Sequence, residues 1–180
     1  MNLPNKITVF RFFLVPLFAV AFLLQFSWSN IAALVIFLIA CVSDFFDGFL
    51  ARKKNQVTDF GKLMDPLADK LLVCTALVCF VEARENFPAW CAILIIAREF
   101  IISGVRQLAA EKNTIIMASW WGKSKTVVQM ITCILFILDV KNDVFLMLEN
   151  IFMWLAAALT VISLVDYIVK NRNIFINASK

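Results

Sequence analysis

Four aspartates, Asp44, Asp47, Asp65 and Asp69, stand in a stretch that reads DFFDGFLARKKNQVTDFGKLMDPLAD over residues 44–69. Apolar runs flank it at 31–42 and 71–81. If those runs continue into the stretch as helices, Asp44, Asp47, Gly48 and Ala51 fall within an arc of about 100° on the first helix. Gly61, Asp65 and Asp69 fall within about 80° on the second. Each helix then has one carboxylate face. The short polar connection at 53–60 suits an antiparallel pair in which the two faces meet.

Such a cluster must be neutralised, because an ionised Asp within a membrane helix costs roughly 2.5–3.5 kcal/mol on insertion scales. One solution is ion pairing at a helix end with Arg52, Lys53, Lys54, Lys62 or Lys70. The other is a metal site, and ionisable residues inside a membrane are functional by default. The chain has no histidine and its cysteines lie elsewhere, so the ligands would all be oxygen. That donor set suits Mg2+ or Mn2+ rather than zinc. Four carboxylates can hold one ion or two; two suit phosphoryl transfer, where the metals neutralise charge on the transferring group and its leaving oxygen. Gly48 and Gly61 each cost about 1 kcal/mol relative to Ala inside a helix, a cost accepted where a backbone or ligand approaches closely.

A second stretch, 97–130, carries Arg98 eight residues before Arg106, then Lys123 and Lys125 just after Gly122. Basic residues within apolar surroundings want an anion. Fixed Arg and Lys groups recognise phosphate well, but Glu99 or Glu111 could equally pair with them locally, and lysines can snorkel to lipid headgroups. The spacing leaves both readings open.

Taken together, Asp44-x2-Asp47-Gly48-x2-Ala51-Arg52-x8-Gly61-x3-Asp65-x3-Asp69 resembles the complete signature of the CDP-alcohol phosphotransferases, with no departure in residue type or spacing. AREFIISGVR, SWWGKSKTVVQM and the N-terminal NLPNKITVFRFFLVPLF are further similar to the branch of that family whose acceptor is glycerol 3-phosphate. The resemblance implies CDP-diacylglycerol as donor, CMP as leaving group and a homodimer. It implies that Asp44, Asp47, Asp65 and Asp69 hold the metal ions, with Asp69 also the base for the acceptor hydroxyl. Arg52 would help neutralise the donor phosphates, Gly48, Ala51 and Gly61 would leave room for the cytidine, and Asn5 and Thr8 would make minor donor contacts. Arg98, Arg106, Lys123 and Lys125 would bind the acceptor phosphate. Two alternatives stand beside this reading: a sister enzyme using inositol phosphate, serine or phosphatidylglycerol as acceptor, and a cation transporter with buried aspartates. The second requires carboxylates near the midplane on broken helices.

The elements that must position these residues follow from composition. At 180 residues, 62% hydrophobic, with a mean hydropathy of +0.87, the chain reads as an integral membrane protein of one domain over 1–180. Alternation of the β-barrel kind is missing, which leaves an all-α bundle in the lipid bilayer; nothing suggests nucleic acid as a partner. Apolar density predicts six transmembrane helices near 7–26, 30–52, 61–81, 88–109, 122–140 and 144–169, preceded by a short interfacial helix over 1–11. The run 12–24 imitates a signal peptide but has no convincing cleavage site after it, so it is expected to be retained. Asn5, Thr8 and Arg11 would lie near the membrane surface, as polar anchors or ligand contacts. Counted from Asn30, Asp44 lies about 21 Å along a helix that must cross about 30 Å of hydrocarbon, so the aspartates are recessed near one face. Arg52, Lys53, Lys54, Lys62, Lys112, Lys123 and Lys125, with the basic termini, share that side, against only Arg84 and Lys141 opposite. The positive-inside rule turns both termini and the motif to the cytoplasm. The five cysteines lack metal-ligand spacing and read as packing residues, while Trp28, Trp90 and Trp120 or Trp121 suit the membrane interface.

Overall fold

The structure is a computed structural model that describes residues 3–24, 26–54, 59–111 and 119–172; the side chains of 3–7, 44–54, 59–63, 65, 66, 69, 108, 110 and 111 lie outside the description. The described residues form six α-helices and no strand: α1 (Leu3–Leu23), α2 (Ser29–Lys54), α3 (Asp59–Ala83), α4 (Ala89–Glu111), α5 (Trp120–Leu138) and α6 (Asp143–Lys170). Each coincides with a predicted span to within a few residues. The separate interfacial helix does not form, because residues 3–23 are one continuous helix. Nothing between Lys6 and Phe12 breaks helical propensity, so the polar start and the apolar run propagate as a single element. By length and composition α5 and α6 are apolar enough to cross a membrane, and apolar stretches of ordinary helix length occupy Thr8–Leu23 and Ser29–Ser43.

The chain divides into two compact units, Met1–Glu85 with Phe136–Asp139, and Asn86–Leu135 with Val140–Lys180. In the first, α1 packs on α2 and α3. Its core is a run of fully buried phenylalanines. Phe18 lies 5.8 Å from Phe37 and Phe22 5.5 Å from Phe80, and Phe80 continues to Phe136 at 5.6 Å. Large aromatic rings in edge and tilted contact fill this space and fix helix register, while Ala33, Ala40, Ala68 and Ala76 let backbones approach.

One end of this unit is tied by Arg84. Its Nη1 donates to Asp139 Oδ2 at 2.8 Å, its Nη2 to Asn30 Oδ1 at 3.1 Å, and its Nε to the Phe136 carbonyl at 3.0 Å. The guanidinium also lies over the Phe22 ring, 4.8 Å from its centre. α5 stops here because Asp139 adopts a left-handed conformation, φ 46°, a state that Asp tolerates better than most residues.

The second unit packs α4 against α6. Glu149, Met153, Ala156, Ala157, Thr160, Ser163 and Tyr167 form one buried stripe along α6 at helical spacing. Small side chains in its centre allow close approach of a partner helix in apolar surroundings. Thr132 of α5 donates to the Phe152 carbonyl of α6 at 3.2 Å, and Trp90 packs on Trp154 at 5.1 Å. Asn142 caps α6 by accepting from the Val144 N–H. Outward side chains on both units are largely apolar, among them Phe13, Ile93 and Trp154, and Trp28 and Trp120 are exposed. All five cysteines are free thiols.

Because Arg84 satisfies four groups from three elements, Arg84→Ala should cost about 2–4 kcal/mol of stability. Denaturation of the purified protein in detergent checks this; a loss under ~0.5 kcal/mol, the range of an ordinary surface substitution, would contradict it.

Candidate active site

Asp44, Asp47, Gly48, Ala51 and Arg52 lie in the last part of α2, and Gly61, Asp65 and Asp69 in the first part of α3. Their backbones are helical, as the motif arithmetic requires, while their side chains lie outside the described residues, as does that of Asn5 on α1. The helix ends set the levels. Asp44 stands ten residues back from Lys54, and Asp69 ten residues on from Asp59. At 1.5 Å per residue both are about 15 Å from the α2–α3 connection, and Asp47 and Asp65 are each about 10 Å from it. Packed helices joined by so short a connection run antiparallel. The four aspartate positions therefore form two levels, with one residue from each helix at each level.

Within the same unit, Thr8 of α1 is wholly buried, and so is Arg11. Both were expected near the membrane surface, as polar anchors or ligand contacts, and the structure surrounds both with protein.

The basic candidates belong to the second unit. Arg98 on α4 and Lys125 on α5 are both buried, and both turn to one carboxylate, that of Glu99. Arg98 Nη1 donates to Glu99 Oε1 at 3.0 Å, and Lys125 Nζ donates to the same oxygen. Arg98 Nε donates to Ser163 Oγ of α6 at 3.1 Å. The local pairing left open by the spacing is thus present. Two cations share one anion, so the group carries a net positive charge. Arg98 Nη2 lies beside Gly122, where an added Cβ would sit 3.5 Å from it. Arg106 and Lys123 are exposed, and the Arg106 guanidinium lies over the Tyr167 ring at 5.8 Å.

The model for CDP-alcohol phosphatidyltransferases matches residues 1–162. The chain belongs to this family. It is similar over its length to curated relatives: 39% identical to the CDP-diacylglycerol–glycerol-3-phosphate 3-phosphatidyltransferase of Bacillus subtilis, covering 94% of this chain and 95% of the relative. The protein of the same name from Haemophilus influenzae is 41% identical over 93% and 91% of the two chains. That of Escherichia coli K12 is 46% identical over 72% and 73%.

For a CDP-alcohol phosphatidyltransferase the donor set is chemically apt. Four carboxylates, two per helix at matched levels, offer only hard oxygen ligands, the preference of Mg2+ and Mn2+. Among the described residues no three His, Cys, Asp or Glu side chains come together as an alternative metal site.

Sequence reasoning gave Glu99 only as a possible partner of Arg98 and did not single out Ser163. An acid adjacent to a base in an apolar run was the available signal for Glu99. Ser163 left none, since it lies 65 residues from Arg98 and only packing of α6 on α4 brings them together. Removing Glu99 strands two buried cations. Glu99→Ala should therefore cost about 3–5 kcal/mol, and adding Lys125→Met should recover a large part of the loss. Unfolding in detergent measures both; strictly additive losses would contradict the shared-carboxylate arrangement.

Proposed function

We propose that this protein transfers the phosphatidyl group of CDP-diacylglycerol to glycerol 3-phosphate, giving phosphatidylglycerophosphate and CMP in phospholipid biosynthesis. The observation that carries this is similarity of 38–46% identity over most of the chain to relatives named for that reaction. The complete motif supports the chemistry independently.

The chain works as a single multi-pass domain of six spans in the cytoplasmic membrane, with both termini and the aspartates facing the cytoplasm, and as a homodimer. The charge asymmetry of the connections supports the orientation, and a cytoplasmic site is open to soluble, phosphorylated acceptors.

Asp44, Asp47, Asp65 and Asp69 would hold Mg2+ or Mn2+, in a pair of ions. Bound there, the cations supply positive charge against the donor diphosphate and the departing CMP. Arg52 adds a further cation near the donor phosphates. Gly48, Ala51 and Gly61 would leave room for the cytidine, and Asn5 and Thr8 would make minor donor contacts. The acceptor phosphate is bound by the basic group. Arg98 is its best-placed member, since Glu99 and Ser163 fix two of its nitrogens and Nη2 remains beside Gly122. Lys125 holds Glu99 in place while contributing charge, and the exposed Arg106 and Lys123 add long-range attraction. With no histidine in the chain, Asp69 accepts the proton of the acceptor hydroxyl as its oxygen bonds to the phosphatidyl phosphorus. The bond from that phosphorus to CMP breaks in the same displacement, and CMP leaves with the electron pair.

The test is CMP release by purified protein supplied with CDP-diacylglycerol and Mg2+, comparing glycerol 3-phosphate with inositol phosphate, inositol, serine and phosphatidylglycerol. Turnover with glycerol 3-phosphate alone is expected, and turnover with a different acceptor would overturn the assignment. Arg98→Ala should raise the acceptor KM by about tenfold or more, the equivalent of one charge-assisted hydrogen bond, and leave the donor KM unchanged. A change confined to the donor KM would contradict the acceptor role. Asp69→Asn should abolish turnover while CDP-diacylglycerol still binds; full activity would remove Asp69 from the mechanism.

A further inference from the structure

Arg11 is completely buried within α1, in the unit whose other two long helices carry the aspartates. A guanidinium stays charged in proteins, so burial in apolar surroundings demands a countercharge nearby. Two ring contacts locate the level at which it must be found.

Phe18 against Phe37 fixes α1 relative to α2. The two helices run antiparallel through the tight turn at 26–29, where the Ser29 N–H bonds the Phe26 carbonyl. Seven residues back from Phe18 is Arg11, and seven residues on from Phe37 is Asp44. Both steps move about 10.5 Å in the same direction. Phe22 against Phe80 fixes α1 relative to α3, and these helices run parallel. Eleven residues back from each lie Arg11 and Asp69, a displacement of about 16.5 Å on both. The α2–α3 connection had already set Asp44 level with Asp69. Three independent registers therefore close on one layer, and the same α1–α2 register sets the buried Thr8 level with Asp47.

From this juxtaposition we infer that Arg11 is a positioning residue of the aspartate site, the fixed countercharge of the layer that holds Asp44 and Asp69. The inference rests on the reading of the four aspartates as a metal site. Its consequence is specific to the metal-free protein. Between turnovers, with no cation bound, Arg11 is the charge that offsets the carboxylates, whereas with cations bound it is partly redundant.

The test is thermal unfolding of the full chain in detergent, with a chelator and with saturating Mg2+. Wild type, Arg11→Gln, Arg11→Lys, Asp44→Asn and the double variant Arg11→Gln with Asp44→Asn are compared. Arg11→Gln should lower the unfolding temperature more in chelator than in Mg2+, so that its Mg2+-induced upward shift exceeds that of wild type. In chelator the double variant should unfold at a higher temperature than the sum of the single losses gives, and Arg11→Lys should retain much of the wild-type stability. Equal losses with and without Mg2+, together with additive single effects, would reduce Arg11 to packing and overturn the inference while wild type still responds to Mg2+. A wild type without any Mg2+ response would overturn the metal-site reading and this inference with it. If Arg11→Gln does not fold in chelator, rescue of its folding by Mg2+ or by Asp44→Asn supports the inference, and failure of both to rescue it overturns the inference.

Discussion

Charge inside apolar helices has to be compensated where it stands, and most of this structure's specific features meet that constraint. Water is not at hand to solvate a carboxylate or guanidinium among lipid-like side chains, and leaving one unpaired costs several kcal/mol. Arg84 meets Asp139, two carbonyl oxygens and Asn30. Arg98 and Lys125 meet Glu99, with Ser163 completing Arg98. The four aspartates place four more charges within α2 and α3, and the proposed cations would supply their compensation. In the proposed chemistry such cations would also serve a diphosphate, because cations held by carboxylates retain charge for phosphate oxygens.

Packing serves that arrangement. The phenylalanine run through Phe18, Phe22, Phe37, Phe80 and Phe136 contributes burial, but its larger effect is to fix how α1, α2 and α3 slide against one another. A shift of one helical turn, about 5.4 Å, would separate the levels of Asp44 and Asp69. Bulky rings at matched positions make such a slip costly. In the other unit the small residues Ala156, Ala157, Thr160 and Ser163 do the complementary work, letting α4 approach α6 closely enough for Arg98 to reach Ser163.

The helices were legible in the sequence because apolar density and the ends of runs are local properties; α2, predicted over 30–52, is observed over Ser29–Lys54. The helical placement of the aspartate motif was legible because its spacing is written along two consecutive helices. What escaped was tertiary. Arg11 sits in a polar-looking segment, MNLPNKITVFR, that reads as interfacial; only the packing of α1 between its neighbours buries it. The start of α1 was split off for the same reason, since polar residues near a membrane helix look like a separate element when no partner helix is visible. Ser163 is one hydroxyl in a long apolar run, and Arg98 finds it through the fold alone.

The proposed chemistry rests on Asp44, Asp47, Asp65 and Asp69 forming one cation-dependent site on α2 and α3. Calorimetric titration of the purified protein with Mn2+, in the presence of CDP-diacylglycerol, tests it most directly. Saturable binding is expected, weakened or lost in each of the four Asp→Asn variants. Binding that is unchanged when Asp44 or Asp69 is replaced would contradict it.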